Sequence, residues 1–298
     1  MEAIDLEGHN NPIYAVVAHP TQNLCYTAGN DKGIVEWNIQ TQKFSRIFNP
    51  VSHTVYALEI ISEYRMLVAG CNNGHILFFN LETAELLFTK DVKSPVFCIK
   101  YSALKNELLV ATDAGEIIII NIEKQDIVHR FNAGTQKIRS FDVNTSLNLL
   151  ATGSNDNFVR LYQLDDYTFV KSFEAHTMGV GAIAFEPTGK KILTGSRDAH
   201  LKIWNTQNWL CENDFAAHLF AIYQIAFHPN LPYFATCSRD KSIKIWRSTD
   251  YSLYKNLSLD KGINGHRLSV NNICWRGNGE TLISVSDDKL VKIWAFKE

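Results

Sequence analysis

The chain has 298 residues, of which 46% are hydrophobic and 11% aromatic, enough apolar material for a large core. Its 29 basic and 31 acidic residues nearly cancel, which excludes the broad positive field behind non-specific binding to nucleic acid or anionic membranes. Apolar runs such as Ile117–Ile120 are strand-sized and too short to span a bilayer, and the acidic start Met1-Glu2-Ala3-Ile4-Asp5 lacks the basic and apolar regions of a secretory signal. The six cysteines (Cys25, Cys71, Cys98, Cys211, Cys237 and Cys274) include no CxxC pair and sit mostly in apolar stretches. They are expected to be buried free thiols in a reducing compartment, so the protein is expected to be intracellular, in the cytoplasm or the nucleus, and not secreted.

In chain order, Ala3–Leu6 reads as a short strand, and His9 then opens a series that the chain repeats seven times. Third-strand positions recur as Trp37, Phe79, Ile120, Tyr162, Trp204, Trp246 and Trp294, at spacings of 42, 41, 42, 42, 42 and 48. A second ladder stands 6 residues before them, at Asp31, Asn73, Ala114, Asp156, Asp198, Asp240 and Asp288. A third stands 28 residues before them, at His9, Val51, Val92, Gly134, His176, His218 and His266. A fourth ladder, four residues ahead of the acidic one, runs Thr27, Ala69, Val110, Thr152, Thr194, Thr236 and Ser284. In the fifth repeat Val180–Phe185 predicts a strand, residues 186–189 a turn, Lys191–Gly195 a strand, residues around Arg197-Asp198 a turn, and His200–Trp204 a strand. A fourth strand should end at Phe173 and Phe215, three residues before His176 and His218. The last spacing leaves six extra residues, so Asn256–Asn264 should form a longer loop between the sixth and seventh repeats.

The strings TGSRDAHLKIW (194–204), TCSRDKSIKIW (236–246) and SVSDDKLVKIW (284–294) resemble the WD-repeat family. The resemblance covers nearly the whole chain and implies an all-β fold: one domain, 1–298, forming a seven-bladed β-propeller of four-stranded antiparallel blades. The chain stops just after the third strand of the last repeat, so Ala3–Leu6 should complete the seventh blade beside residues 290–295 and leave no open sheet edge.

His, Ser/Thr and Asp in one repeat invite comparison with a hydrolase triad. A nucleophile site occurs once, whereas this set recurs five times, with Gly134 in place of one histidine. The resemblance assigns it to structural tetrads of Asp, His, Ser/Thr and Trp: His9, Thr27, Asp31 and Trp37; His176, Thr194, Asp198 and Trp204; His218, Thr236, Asp240 and Trp246; His266, Ser284, Asp288 and Trp294. The second and third repeats have lost the polar members together (Val51, Ala69, Asn73; Val92, Val110, Ala114), and apolar packing should hold those blades. His53 lies two positions off the tetrad register and is expected at the surface.

In this family the wide mouth of the ring binds peptides. One register, 23 residues before each third-strand position, gives Tyr14, Tyr56, Phe97, Arg139, Gly181, Tyr223 and Asn271 as a ring around it. Aromatic residues and arginine are the usual anchors of protein interfaces; the alternative is that these rings simply pack at the strand start. The residue before each Asp position (Asn30, Asn72, Asp113, Asn155, Arg197, Arg239, Asp287) should face the same way. Lys137, Arg139, Arg197 and Arg239 would then form a basic patch able to grip a carboxylate or phosphate, or stand as ordinary solvated charges. The chain carries no GxSxG, P-loop, HExxH or clustered Cys/His spacing. The expectation is therefore a scaffold, an adaptor or a structural subunit that binds proteins or peptides, with no cofactor, no metal and no catalysis. With the repeats using up the chain, no further domain is expected. Two alternatives are a reader of acidic or phosphorylated peptides through the basic patch, and an enzyme at the channel mouth.

Overall fold

The structure, a computed structural model, describes residues 1–296. Twenty-eight strands form seven antiparallel sheets of four strands each, the blades of a β-propeller. We letter the strands of a blade a to d, from the first strand of each repeat to the last. The first blade is Ile13–Ala18, Leu24–Gly29, Ile34–Asn38 and Lys43–Phe48, hydrogen-bonded in that order. The seventh is completed from the other end of the chain. Ala3–Leu6 pairs antiparallel with Val291–Ala295, Leu6 opposite Val291, and closes the ring as the repeat count requires.

Burial explains why the b and c strands read as apolar runs rather than alternations. Strand b of the sixth blade, Tyr233–Ser238, is buried at every position, whereas the d strand Phe169–Glu174 of the fourth blade is exposed at five of six. Middle strands have neighbours on both faces; d strands have solvent on one. The d strands run one residue further than the sequence suggested, to Glu174 and Ala216. Burial also corrects the cysteines. All six are free, and Cys25, Cys71 and Cys237 are buried, but Cys98 and Cys274 are half-buried and Cys211, on a d strand, is exposed. The long connection begins later than expected: Asn256 still belongs to the strand Leu253–Leu257, opposite Lys244. The loop proper then holds a single 3-10 turn, Leu259–Lys261.

The chain divides into two compact bodies, Val92–Ile225 on one hand and Met1–Asp91 with the described residues from Ala226 onward on the other. In the second of these, Leu6, Trp37, Ile283 and Val291 share one apolar cluster, and Tyr26, Phe48, Val51 and Phe79 another. In Val92–Ile225, Leu109, Ile117, Ile119 and Tyr162 pack together, as do Val159, Leu161, Ile183 and Trp204. No helix among the described residues is long and apolar enough to cross a membrane.

Candidate functional site

The hydrogen-bonded tetrads lie at one end of the blades. In the first blade the Trp37 indole donates to Thr27 Oγ1 at 2.7 Å, Thr27 Oγ1 lies 2.8 Å from His9 Nε2, and His9 Nδ1 lies 2.5 Å from Asp31. The fifth blade repeats the chain from Trp204 through Thr194 and His176 to Asp198 at 2.9, 2.8 and 3.1 Å. The seventh does so from Trp294 through Ser284 and His266 to Asp288 at 2.9, 2.8 and 2.9 Å. In the sixth, Trp246 donates to Thr236 at 2.9 Å, and His218 is 4% exposed. The direction of donation follows from the partners. The indole can only donate, so it occupies the hydroxyl oxygen. The hydroxyl hydrogen then points to Nε2, and the imidazole proton sits on Nδ1 facing the carboxylate.

Electrostatics agree with a neutral imidazole beside an ionised acid. Burial lowers the pKa of His266, opposed by Asp288. Burial alone would raise the Asp288 carboxyl, but the bonds from His266 and from the Arg267 and Leu290 amides hold it down to about 2. Thr27, Thr194 and Ser284 are fully buried and bonded on both sides, so these hydroxyls serve the fold.

Two structural features were absent from the sequence reading. Ser154, Ser196, Ser238 and Ser286, two residues before each acid, accept that acid's backbone N–H at 3.0–3.2 Å. The signal was present in the S-x-D of each string. In the fourth blade, where glycine stands for histidine, Arg160 replaces the missing partner. Its guanidinium holds Asp156 through both nitrogens, at 3.0 and 2.8 Å, and with Thr135 brings that carboxyl to about 2 against burial. Matching lysines in the fifth and seventh blades turn instead to acids on strand d or its equivalent, Lys202 to Asp214 and Lys292 to Asp5. Arg160 faces Ser172 there, so it is left for Asp156.

The predicted mouth register coincides with a β-bulge. Pairing of strand a with strand b skips one residue in each of six blades, and the skipped residues are Tyr14, Tyr56, Phe97, Arg139, Gly181 and Asn271. A bulge frees its residue from the ladder and re-aims the side chain. Tyr14 and Tyr56 are half-buried and meet at 5.4 Å between ring centroids. Burial, and then the charge of Asp287, raise the Tyr14 phenol pKa. Phe97 and Tyr223 are also half-buried, and the exposed Arg139 lies 4.8 Å over the Phe97 ring. Gly181 suits its place, because a Cβ there would meet the Ile222 carbonyl oxygen at 2.5 Å. Asn271 is a strut: its amide donates to Ile13 O and to Asp287, both at 2.8 Å.

The basic residues divide into two kinds. Lys137 pairs with Asp113 at 2.8 Å and lies 5.4 Å from Phe97. Arg197 and Arg239 are both exposed, and neither guanidinium has an ion-pair partner among the described residues. The loops after His176 and His218 also expose apolar residues that none of the ladders marks: Met178 (45%), Leu219 (82%) and Phe220 (56%). Their signal is positional, one and two residues after the histidine. His53 is exposed, as its register suggested. The connection before the seventh blade folds back on that blade, with Asn264 accepting from Lys292 at 3.4 Å and its amide donating to Asp5 of the closing strand at 3.5 Å. No group of three His, Cys, Asp or Glu side chains among the described residues is placed to hold a metal ion.

Comparison with known proteins agrees with this geometry. The chain is 24% identical over 165 residues to a p21-activated protein kinase-interacting protein 1-like of Danio rerio, covering 54% of this chain and 43% of that protein. It is 20% identical over 163 residues to Echinoderm microtubule-associated protein-like 4 of Xenopus laevis (55% of this chain, 13% of that protein). It is 26% identical over 144 residues to Gem-associated protein 5 of Mus musculus (46% and 10%). The chain thus spans less than half the length of each of these relatives. The WD domain, G-beta repeat family matches residues 3–38, 125–163, 167–205, 209–247 and 258–295, more than half of the chain. The protein belongs to the WD40 family, with seven blades of which the second and third have shed the family's polar signature.

Proposed function

We propose that the chain, as one WD-repeat propeller over 1–298, is a scaffold or adaptor that takes up partner proteins through the bulged residues of its inner strands, without catalysis. The bulge carries this reading: one register, outside the sheet ladder, is filled by Tyr14, Tyr56, Phe97 and Arg139 in successive blades. Aromatic rings and arginine give large contact area with few rotors to immobilise, which suits a recognition surface. Met178, Leu219 and Phe220 supply further exposed apolar area in Val92–Ile225. The relatives' names, with their kinase-interacting and Gem-associated proteins, support an interaction role. Six free thiols suit a reducing, intracellular setting.

The test is affinity capture with the triple variant Tyr14→Ala, Tyr56→Ala, Tyr223→Ala beside the wild type. Loss of captured partners with an unchanged melting curve is expected; retention of the same partners would place binding elsewhere. A second reading, recognition of acidic or phosphorylated peptides, is favoured by the unpaired guanidinium groups of Arg197 and Arg239 and weakened by the pairing of Lys137 with Asp113. Capture that fades steeply with ionic strength supports this second reading over the first.

A further inference from the structure

Two a–b turns begin with His-Pro, at His19-Pro20 and His228-Pro229. They fold alike. His228 Nδ1 accepts the backbone N–H of Asn230 and of Leu231 at 3.1 and 2.9 Å. His19 Nδ1 accepts those of Thr21 and Gln22 at 3.2 and 3.0 Å. A ring nitrogen that accepts two N–H groups carries no proton, so in both residues Nε2 is the donor. Nε2 of His228 finds its acceptor in the next blade, the carbonyl of Gly279 at 3.0 Å. There its ring also packs on Trp275 and Phe296 at 4.7 and 5.2 Å.

His19 faces the second blade, and that blade's turn is displaced. Strand a there is Val55–Ile61, one residue longer than Val270–Trp275 of the seventh blade. The turn's hydrogen bond moves with it: Arg65 N–H bonds Ser62 O, where the seventh blade has Gly279 N–H bonding Arg276 O. His19 is 8% exposed, and the hydrogen bonds of its ring are those at Nδ1, which leaves Nε2 turned to the cavity. It lines a cavity of about 350 Å³ together with Leu24, Tyr26, Ser62 and Leu81. The charges around this cavity already satisfy one another. Arg46 holds the buried Glu36 at 2.9 and 3.1 Å and donates to Leu81 O at 2.6 Å, and Arg65 pairs with Glu82 at 3.1 Å. Burial lowers the His19 pKa, opposed by Glu36, so the ring is neutral near pH 7. With the cavity's arginines already paired, its one neutral N–H donor matches a neutral acceptor better than an anion.

We propose that this cavity is a second docking point, which receives a turn of a partner protein whose backbone carbonyl accepts from His19 Nε2 as Gly279 does from His228. The volume suits such an occupant, lying within the size range of small-ligand pockets. The site belongs to the a–b end of the strands, away from the bulged residues, and does not rest on the reading given for them.

The experiment titrates the whole chain with an end-blocked peptide copying residues 275–280 and follows the histidine ring signals by NMR. A saturable shift is expected at His19 and none at His228. His19→Asn keeps an acceptor for the turn amides at the Nδ1 position and leaves no donor at the Nε2 position, its own NH2 group stopping short of it, and should weaken peptide binding about tenfold, the equivalent of about 1.4 kcal/mol, with the melting curve unchanged. Ser62→Trp, which fills the cavity from its other wall, should abolish the shift. The triple tyrosine variant should bind the peptide as the wild type does, which separates failure here from failure of the mouth reading. No saturable shift at His19, undiminished binding to His19→Asn, or tighter binding of acetate than of the peptide would each overturn the proposal.

Discussion

The seventh blade and the second build the same four-stranded sheet around different interiors. In the seventh, Trp294, Ser284, His266 and Asp288 are joined by hydrogen bonds, and the acid holds the amides of Arg267 and Leu290. In the second, Phe79, Ala69 and Val51 occupy those places, each 4% exposed or less, and Phe79 packs edge-on against Phe48 at 5.8 Å. The third goes further, with Ile117 to Ile120 all fully buried. The b–c turns differ in step. The residue after the acid position is left-handed throughout, but it is Gly74 and Gly115 in the second and third blades, against Lys32, Asn157, Ala199, Lys241 and Lys289 in the others. An aspartate that accepts the N–H two residues on, as Asp198 does from His200 at 3.0 Å, can hold a residue with a side chain in that conformation. In the third blade Ala114 offers no such acceptor and Gly115 adopts the conformation at no steric cost, while in the second Asn73 still accepts from His75 at 3.2 Å beside Gly74. In the seventh blade the network and its turn thus form one unit, replaced together in the second and third blades, while the fourth keeps Asp156 with Arg160 in the histidine's role.

The sharpest way to break this comparison is to damage the unit in part. Asp288→Ala leaves the His266 proton and two amides without an acceptor and should cost about 3–5 kcal/mol in chemical denaturation. Giving the seventh blade the second blade's residues (His266→Val, Ser284→Ala, Asp288→Asn, Trp294→Phe) should cost less than the single change. A larger loss for the combined variant would show that the members do not act together. Next in size, Gly115→Ala puts a side chain on a left-handed residue whose Cβ would lie 2.4 Å from the Gly134 carbonyl oxygen. It should lower stability by about 2 kcal/mol or more. The register-matched Ala199→Gly should change it by less than about 1 kcal/mol. Equal effects would mean that the two kinds of turn are not distinct.

The smallest effect is acid sensitivity. His266 is held neutral, its pKa below 6.5, so the unfolded chain binds the proton first. Its contribution is complete above about pH 6.5 and declines as pH falls below that value. Asp288, held down to about 2, adds a second loss as pH falls from about 4 toward that value. Native-state hydrogen exchange should therefore show Thr281–Ser286 losing protection between pH 7 and pH 5 while Glu107–Thr112 of the third blade keeps its own. Parallel loss in both strands would contradict the comparison.

Much of this was legible in the residues because the repeat supplies its own alignment. Four ladders of seven rungs, all in phase, assign the blades, closure by Ala3–Leu6 and the apolar second and third blades from the residues alone. The register of Tyr14 and its counterparts was legible too, though not its cause, since a bulge is a property of two paired strands and has no marker in one. Arg160 was missed because the fourth repeat was counted among the five sets with only Gly134 out of place; a basic residue four positions after Asp156 was the clue. Cys211 was misjudged because the six cysteines were read together, although its own outer strand, Cys211–Ala216, is rich in polar residues and exposed. The shifted turn of the second blade was invisible for a similar reason: one extra residue in a strand does not alter the spacing of the ladders.

The bulge carries a consequence for how such a protein can change. A residue outside the ladder contributes neither its amide to the register nor its side chain to the core, so its identity can vary while the framework stays the same. Tyrosine, phenylalanine, arginine, glycine and asparagine already occupy this one slot. Two of the slots are committed, Gly181 by a crowding carbonyl and Asn271 by its strut bonds. If these residues bind partners as proposed, Tyr14 with Tyr56 and Phe97 with Arg139 are exchangeable as packed pairs, places where specificity would change with the sheet ladder left intact.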